Sequence, residues 1–196
     1  MCVICVKPKG AIIDTKDIEQ MFDQNPHGGG FAVIQKGKVY YEKGFMNVID
    51  LIKSITKFNT PENELVLHCR LATVGEITPE LTHPFQLTKN RKKLLSLKGY
   101  ANTVLFHNGS IFSYKDSDLS DTAELVLLLA DLKLKPEKIV KVLKLLDAQK
   151  FVLLTSSKIY MIGNFHKYKN LYFSNLTWNY KAYFEPYFAR KNTLLI

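Results

Sequence analysis

Cysteine is scarce in this chain: Cys2, Cys5 and Cys69 are the only three in 196 residues. An odd, low number excludes a disulfide framework and suits a reducing compartment. The C-x2-C spacing of Cys2 and Cys5 does not make a zinc site, because one cysteine follows and no H-x3-5-H pair does. In a strand, residues three apart also face opposite sides. The five histidines are scattered without paired spacing, so neither a metal nor another cofactor is expected. No apolar run reaches the ~18 residues that cross a bilayer, which argues against a membrane protein. The opening MCVICVKPKG has no basic segment followed by a long apolar stretch, so it does not read as a secretory signal. A cytoplasmic location is the expectation. Acidic residues are outnumbered, 18 against 27 basic, for a net charge of +9. Such an excess fits a lysine-rich solvated surface, or contact with nucleic acid or an acidic protein.

What is present fits a globular fold. Hydrophobic residues make up 46% of the chain and charged residues 23%, and the length suits one domain with a substantial core. Residues 2–6 (CVICV) read as a buried strand. Residues 17–24 read as a helix ended by Asn25-Pro26, before a glycine run at 28–30. Residues 31–35 and 39–41 flank Lys36-Gly37-Lys38 as a hairpin. Residues 48–58 have helical spacing, 64–71 read as a strand, and 73–82, with Gly75 and Pro79, as a loop. Residues 103–107 form a strand stopped by Asn108-Gly109. Ser120 caps a helix over 121–132, and Pro136 opens another to about 146. Residues 151–155 and 158–162 make a hairpin, and 171–174 a last strand. Strands, then two adjacent helices, then strands again define an α+β layered fold rather than a doubly wound sheet.

Cys2 directly follows the initiator methionine. Removal of Met1 leaves a thiol and a free α-amine on one residue. A thiol needs a base to become a nucleophile, and an α-amine with a pKa near 8 can serve as that base. Three further polar signatures stand at strand ends or turns: L-H-C-R-L-A-T-V-G (67–75), F-H-N-G-S (106–110) and S-D-T-A-E (120–124).

In this order, these segments resemble the glutaminase domain of class II glutamine amidotransferases, members of the N-terminal-nucleophile (Ntn) hydrolases. N-P-H-G-G-G-F-A-V (25–33) is similar to that family's N-x-D/H-G-x-G-I/F-A segment. H-C-R-L-A-T-V-G is similar to its H-x-R-x-A-T-x-G, and T-H-P-F (82–85) to the N-x-H-P-F that comes after it. The resemblance covers about residues 1–163, leaving an aromatic extension at 164–196 within the single domain. It implies a four-layer αββα sandwich and hydrolysis of L-glutamine to glutamate and ammonia.

The resemblance also assigns roles. Cys2 matches the nucleophile that forms a γ-glutamyl thioester. Asn108 and the Gly109 N–H match the oxyanion donors. Arg70 matches the carboxylate binder, for which a guanidinium offers a planar fork. Asp121 matches the partner of the substrate ammonium, with Asp116 and Asp118 as nearby alternatives. Thr73 opens the loop 73–82 that covers bound glutamine. His68 reads as a packed strand histidine, His107 as orienting the oxyanion turn, and His83 as fixing the loop base. His27 stands where the family often has Asp and is given no chemistry. Three departures stand out: Val3 follows the nucleophile where Gly is frequent, Ala123 lies where many members have Glu, and Thr82 replaces the Asn before H-P-F.

Ammonia is expected to pass to a separate synthase subunit or to be released, with the charge-rich segment 86–102 and the aromatic tail as docking surfaces. Two alternatives remain open here. One is an Ntn amidase on another amide substrate. The other is a catalytically silent basic binding protein, with the cluster Lys89, Arg91, Lys92, Lys93 and Lys98 and the aromatic tail meeting nucleic acid.

Overall fold

Short β-branched and aromatic runs punctuated by glycine turns place this chain in two antiparallel sheets. The computed structural model describes residues 2–72, 76–111, 118–180 and 182–183. Seven strands form the larger sheet: β1 (Val3–Lys7), β2 (Gly29–Gln35), β3 (Lys38–Phe45), β4 (Leu65–Cys69), β6 (Lys98–Ala101), β10 (His166–Tyr168) and β11 (Leu171–Phe173). Their spatial order is β10-β11-β1-β4-β2-β3-β6. Four strands, β5 (Phe85–Gln86), β7 (Thr103–Asn108), β8 (Lys150–Thr155) and β9 (Ile159–Ile162), form the smaller sheet in the order β5-β7-β8-β9. The helices are α1 (Thr15–Gln24), α2 (Val48–Ile55), α3 (Arg91–Leu94), α4 (Asp121–Asp131) and α5 (Pro136–Leu143).

Alternation along β1 decides which side each residue serves. Val3 and Cys5 enter a core with Ile18, Met21 and Phe22 of α1 and Leu51 and Ile55 of α2. Ile4 and Val6 enter a second core that joins residues of both sheets, including Tyr41, Val66, Val104, Phe106 and Leu154. The outer face of the smaller sheet (Leu105, Phe151, Leu153) meets Val126 and Leu129 of α4 and Ile139 and Leu143 of α5. Each buried Leu, Ile, Val or Phe contributes about 1.5–3 kcal/mol relative to exposure.

Several expected elements have other limits. Helix α1 begins two residues before the expected 17, because Asp14 caps it through the Lys16 N–H. The glycine run belongs largely to β2, where Gly30 packs against the carbonyl of His83: an added Cβ would lie 2.2 Å from that oxygen. The charge-rich segment 86–102 contains the short helix α3 and the edge strand β6, where the lysine cluster at 89–98 reads from sequence as a solvated loop. Lys89 pairs with Asp131 and Arg91 with Asp118, both on the surface. Such exposed pairs contribute about 0–1 kcal/mol.

The C-terminal part is built into the larger sheet. β11 lies directly beside β1, with Cys5 opposite Phe173. Phe173 packs on Trp178 at 5.0 Å between ring centroids, and both join the α1/α2 core. The part of the aromatic tail after residue 183 lies outside the described residues. Among the described residues, no helix is long and apolar enough to cross a membrane.

Candidate active site

The pairing of β1 with β4 sets the site. Val3 lies opposite Cys69, so the residues after β4 pass beside Cys2. The Cys2 Sγ accepts the Leu71 N–H at 3.3 Å and lies 3.5 Å from the Leu71 carbonyl oxygen. Burial pushes the Cys2 thiol pKa up, opposed by the Leu71 backbone and the nearby Arg70 guanidinium. A thiol raised in this way stays protonated near neutrality and needs a base to react. Cys5 and Cys69 are fully buried and their thiols are raised further, by burial first of all.

Cys2, Arg70, Gly109 and Asp121 line one recess of about 30 Å³, together with His83 and His107. That volume holds a water molecule. Asn108 borders an adjoining depression of about 250 Å³, which Cys2, Leu71, Gly109 and Gln149 also line. Arg70 is 3% exposed, and its Nη1 donates to the Glu76 carbonyl at 2.8 Å. Its guanidinium is therefore tied to the segment that comes after it. Asp121 opens α4, where Ser120 is the cap. Its Oδ2 accepts the Ile111 N–H (2.8 Å) and its Oδ1 the Thr122 N–H (2.6 Å). Oδ1 also accepts the Thr122 hydroxyl at 3.2 Å, so three of the roughly four lone-pair sites of a carboxylate are used within the protein. Asp118 instead pairs with Arg91 at the surface. The expectations for Thr73 and Asp116 lie outside the described residues.

Asn108 ends β7 and is 3% exposed. Its Nδ2 donates to Ser174 Oγ at 2.8 Å, and its Oδ1 is buried with no hydrogen-bond partner among the described residues. Gly109 comes next at φ +155, and a Cβ there would lie 1.8 Å from Gln149 Oε1. The Gln149 side chain could shift, but L side chains rarely adopt this backbone conformation, which favours glycine.

The histidines divide by environment. His107 bridges the two halves of the site: Nε2 lies 2.9 Å from Gln149 Oε1 and Nδ1 2.8 Å from Thr122 Oγ1. Since Gln149 Oε1 can only accept, Nε2 carries a proton, and the single proton of the Thr122 hydroxyl is shared between His107 Nδ1 and Asp121 Oδ1, 3.2 Å away. Burial holds the His107 pKa down. His68 donates from Nε2 to the His107 carbonyl (3.1 Å), and burial pulls its pKa down to about 3. Its ring lies 4.2 Å from that of His83, whose two nitrogens are buried without hydrogen-bond partners among the described residues.

Other residues brace the segment after β4. His27 Nδ1 accepts the Ala72 N–H at 2.9 Å. Thr82 Oγ1 accepts the Gly44 N–H (2.7 Å) and donates to the Pro79 carbonyl (2.8 Å), so the hydroxyl holds backbone here. Lys43 Nζ donates to the Glu80 carbonyl (2.8 Å) from 4.0 Å above the Phe85 ring, and burial lowers its pKa to about 7.

The buried histidines predict acid sensitivity. His68 is neutral in the folded chain down to about pH 3 but takes a proton near pH 6.5 when unfolded. The unfolded chain therefore binds more protons between those values, and stability falls as pH drops through that window. The loss from pH 7 to pH 5 should be about 2 kcal/mol for this one residue. Denaturant unfolding of His68→Gln at both pH values should show a pH dependence smaller by that amount. An identical dependence in both proteins would contradict a buried neutral His68.

Sequence reasoning missed Ser174, Asn175 and Gln149, which lie in unremarkable contexts, and left His27 without a role. The Asn25-to-Gly30 segment was the available signal for His27. Among the described residues, no group of three or more His, Cys, Asp or Glu could hold a metal ion.

The fold is mixed α and β with antiparallel sheets, and it is similar to that of a glutamine amidotransferase. That structure is glutamine phosphoribosylpyrophosphate amidotransferase from B. subtilis complexed with ADP and GMP, at a TM-score of 0.50 and 17% identity. The alignment covers 88% of this chain and 41% of that one, so the chain spans about two-fifths of its length. At this identity the likeness is one of fold. A second structure, described as the allosteric regulatory enzyme of purine biosynthesis, aligns at a TM-score of 0.43 and 16% identity, over 88% of this chain and 41% of that one. That weaker likeness supports no functional conclusion. No family model and no curated protein matches the sequence.

Proposed function

We propose that this chain is a glutaminase of the class II amidotransferase type, acting through Cys2 after removal of Met1. The observation that carries the reading is the shared recess: one thiol, one buried guanidinium, one carboxylate and the Gly109 backbone meet at a single opening. The three-core arrangement supports an α-β-β-α stacking of layers, with α1 and α2 outside one sheet and α4 and α5 outside the other.

The groups present define the chemistry. The freed α-amine takes the thiol proton, and Sγ attacks the side-chain amide carbon of glutamine. The resulting oxyanion receives hydrogen bonds from Asn108 Nδ2 and the Gly109 N–H. The carbon–nitrogen bond breaks, and ammonia leaves with the proton the amine had taken. Water then attacks the γ-glutamyl thioester, glutamate departs, and the thiol regains its proton. Arg70 binds the substrate carboxylate and Asp121 its ammonium. Both clamps favour a free amino acid over a peptide, since a peptide lacks one or both charges. Glutamine would extend from the recess into the adjoining depression of about 250 Å³, which Cys2, Leu71 and Gly109 also line. Ammonia passes to a separate partner subunit or is released.

The test is glutamate formation from L-glutamine, with intact mass reporting the fate of Met1. Arg70→Lys should keep charge but lose the bidentate fork, raising KM about 10- to 100-fold with a smaller change in kcat. No glutamate from protein whose first residue is Cys2 would overturn the reading. Activity on γ-glutamyl peptides equal to that on glutamine would replace it with a broader amidase.

A further inference from the structure

We infer that Ser174 and Asn175, which directly follow β11, are positioning residues that hold the nucleophile and the oxyanion donor in register. The inference rests on the glutaminase reading and adds two residues from outside the motif-bearing part of the chain.

One oxygen atom joins the two sheets at the site. Ser174 Oγ accepts the Ile4 N–H at 2.9 Å and Asn108 Nδ2 at 2.8 Å. Ile4 lies two residues beyond the nucleophile on β1; Asn108 belongs to the other sheet. A single hydroxyl therefore ties the strand that carries the thiol to the amide meant to receive the oxyanion. Ser174 is itself fixed: it is fully buried, its N–H donates to the Ile4 carbonyl at 2.9 Å, and Lys150 Nζ donates to its carbonyl. The next residue completes the clasp. Asn175 Nδ2 donates to the Cys2 carbonyl at 2.7 Å, while its Oδ1 accepts from the Thr177 N–H and hydroxyl. Backbone of the nucleophile and side chain of the oxyanion donor are thus held by consecutive residues.

Why an asparagine needs this is geometric. A half-turn of the amide exchanges a donor for an acceptor at almost no change in shape. An oxyanion must meet the NH2 and not the oxygen. In the free protein Asn108 Oδ1 has no partner among the described residues, and an orphaned buried acceptor is costly. The Ser174 hydroxyl serves both settings: it accepts from Nδ2, or, after a half-turn, donates its own proton to Oδ1. The second setting satisfies the orphan and turns the amide NH2 away from Ser174, so that one of its protons can donate to the oxyanion.

The experiment compares wild type, Ser174→Ala and Ser174→Thr in glutamine hydrolysis. Ser174→Ala should lower kcat about 10- to 100-fold, the scale of a displaced catalytic group, with KM changed less than about threefold. Ser174→Thr keeps the hydroxyl and should restore most of the rate. The γ-aldehyde analogue of glutamine forms a thiohemiacetal whose oxygen sits where the oxyanion does. Its affinity should fall in Ser174→Ala by the same factor as kcat, while glutamate affinity stays unchanged. A merely structural role would weaken both ligands. If Ser174→Ala does not fold, Ser174→Cys carries the same comparison. Active wild type with a fully active Ser174→Ala, or with parallel loss of aldehyde and glutamate binding, overturns this inference and leaves the glutaminase reading standing. Wild type that makes no glutamate overturns both.

Discussion

Cys2→Ala should lose glutamine hydrolysis altogether, by at least about a thousand-fold, and should lose all labelling by an electrophilic glutamine analogue. The expectation rests on how unequal the three thiols are. Cys5 and Cys69 are fully buried, inside the core under α1 and α2. Burial raises both thiols far above their usual range, so neither is a thiolate near neutral pH. Cys2 is the partly exposed one, and it alone lines the recess with Arg70 and Asp121. Labelled wild type should therefore carry a single adduct on Cys2, seen by peptide mass. Its thiol is also raised by burial, so the reaction needs a base. The base proposed is the α-amine, which is neutral only above its pKa of about 7.7–8.0. The rate kcat/KM should rise with pH and level off above that value. A chain in which Met1 is retained should be inactive while folding normally. Turnover by Cys2→Ala, or labelling at Cys69, would remove the mechanism.

The second large effect belongs to Asn108. Asn108→Ala should lower kcat by about 100- to 1,000-fold, or about 3–4 kcal/mol of transition-state stabilisation, with little change in KM. The side chain lies at the end of β7, buried, and borders the same depression as Cys2 and Gly109. A donor that binds only the developing oxyanion contributes to the transition state and not to the ground state. The measurement is steady-state kinetics together with glutamate affinity. Asn108→Ala also frees the Ser174 hydroxyl of one partner, so the melting temperature should be followed alongside. A kcat within a few-fold of wild type would assign the oxyanion to other groups.

How much of this was legible before folding can be traced through particular residues. The strand at 2–6 was legible because its residues are β-branched and apolar, a pattern that survives in any context. The cap at Ser120 and the helix start at Pro136 were legible because helix termini need specific local chemistry. Asn108-Gly109 was legible as a turn, and the glycine suits a positive φ that L side chains rarely adopt. The strand β10 was missed: three residues, His-Lys-Tyr, carry no apolar alternation, and its only partner among the described residues is β11. The basic cluster at 89–98 was misleading for the opposite reason. Its lysines suggest a solvated loop, yet Tyr100 and Gly99 pair along β3 as an edge strand. His27 stands in a legible motif segment, but its bond to Ala72, a residue 45 positions away, depends on the fold.

The amino-acid order by itself determined the chemical inventory: a cysteine at the second position, an arginine after a buried strand, an Asn-Gly turn, and an aspartate in a helix cap. It also determined the local elements, since period and capping act over a few neighbouring residues. Only the tertiary structure decided that Cys2, Arg70, Gly109 and Asp121 open on one recess. Only it decided that Ser174 lies between Ile4 and Asn108, 170 and 66 positions away. Such contacts depend on which strands become neighbours across two sheets. That choice is made by the packing of whole faces, and no short stretch of sequence encodes it.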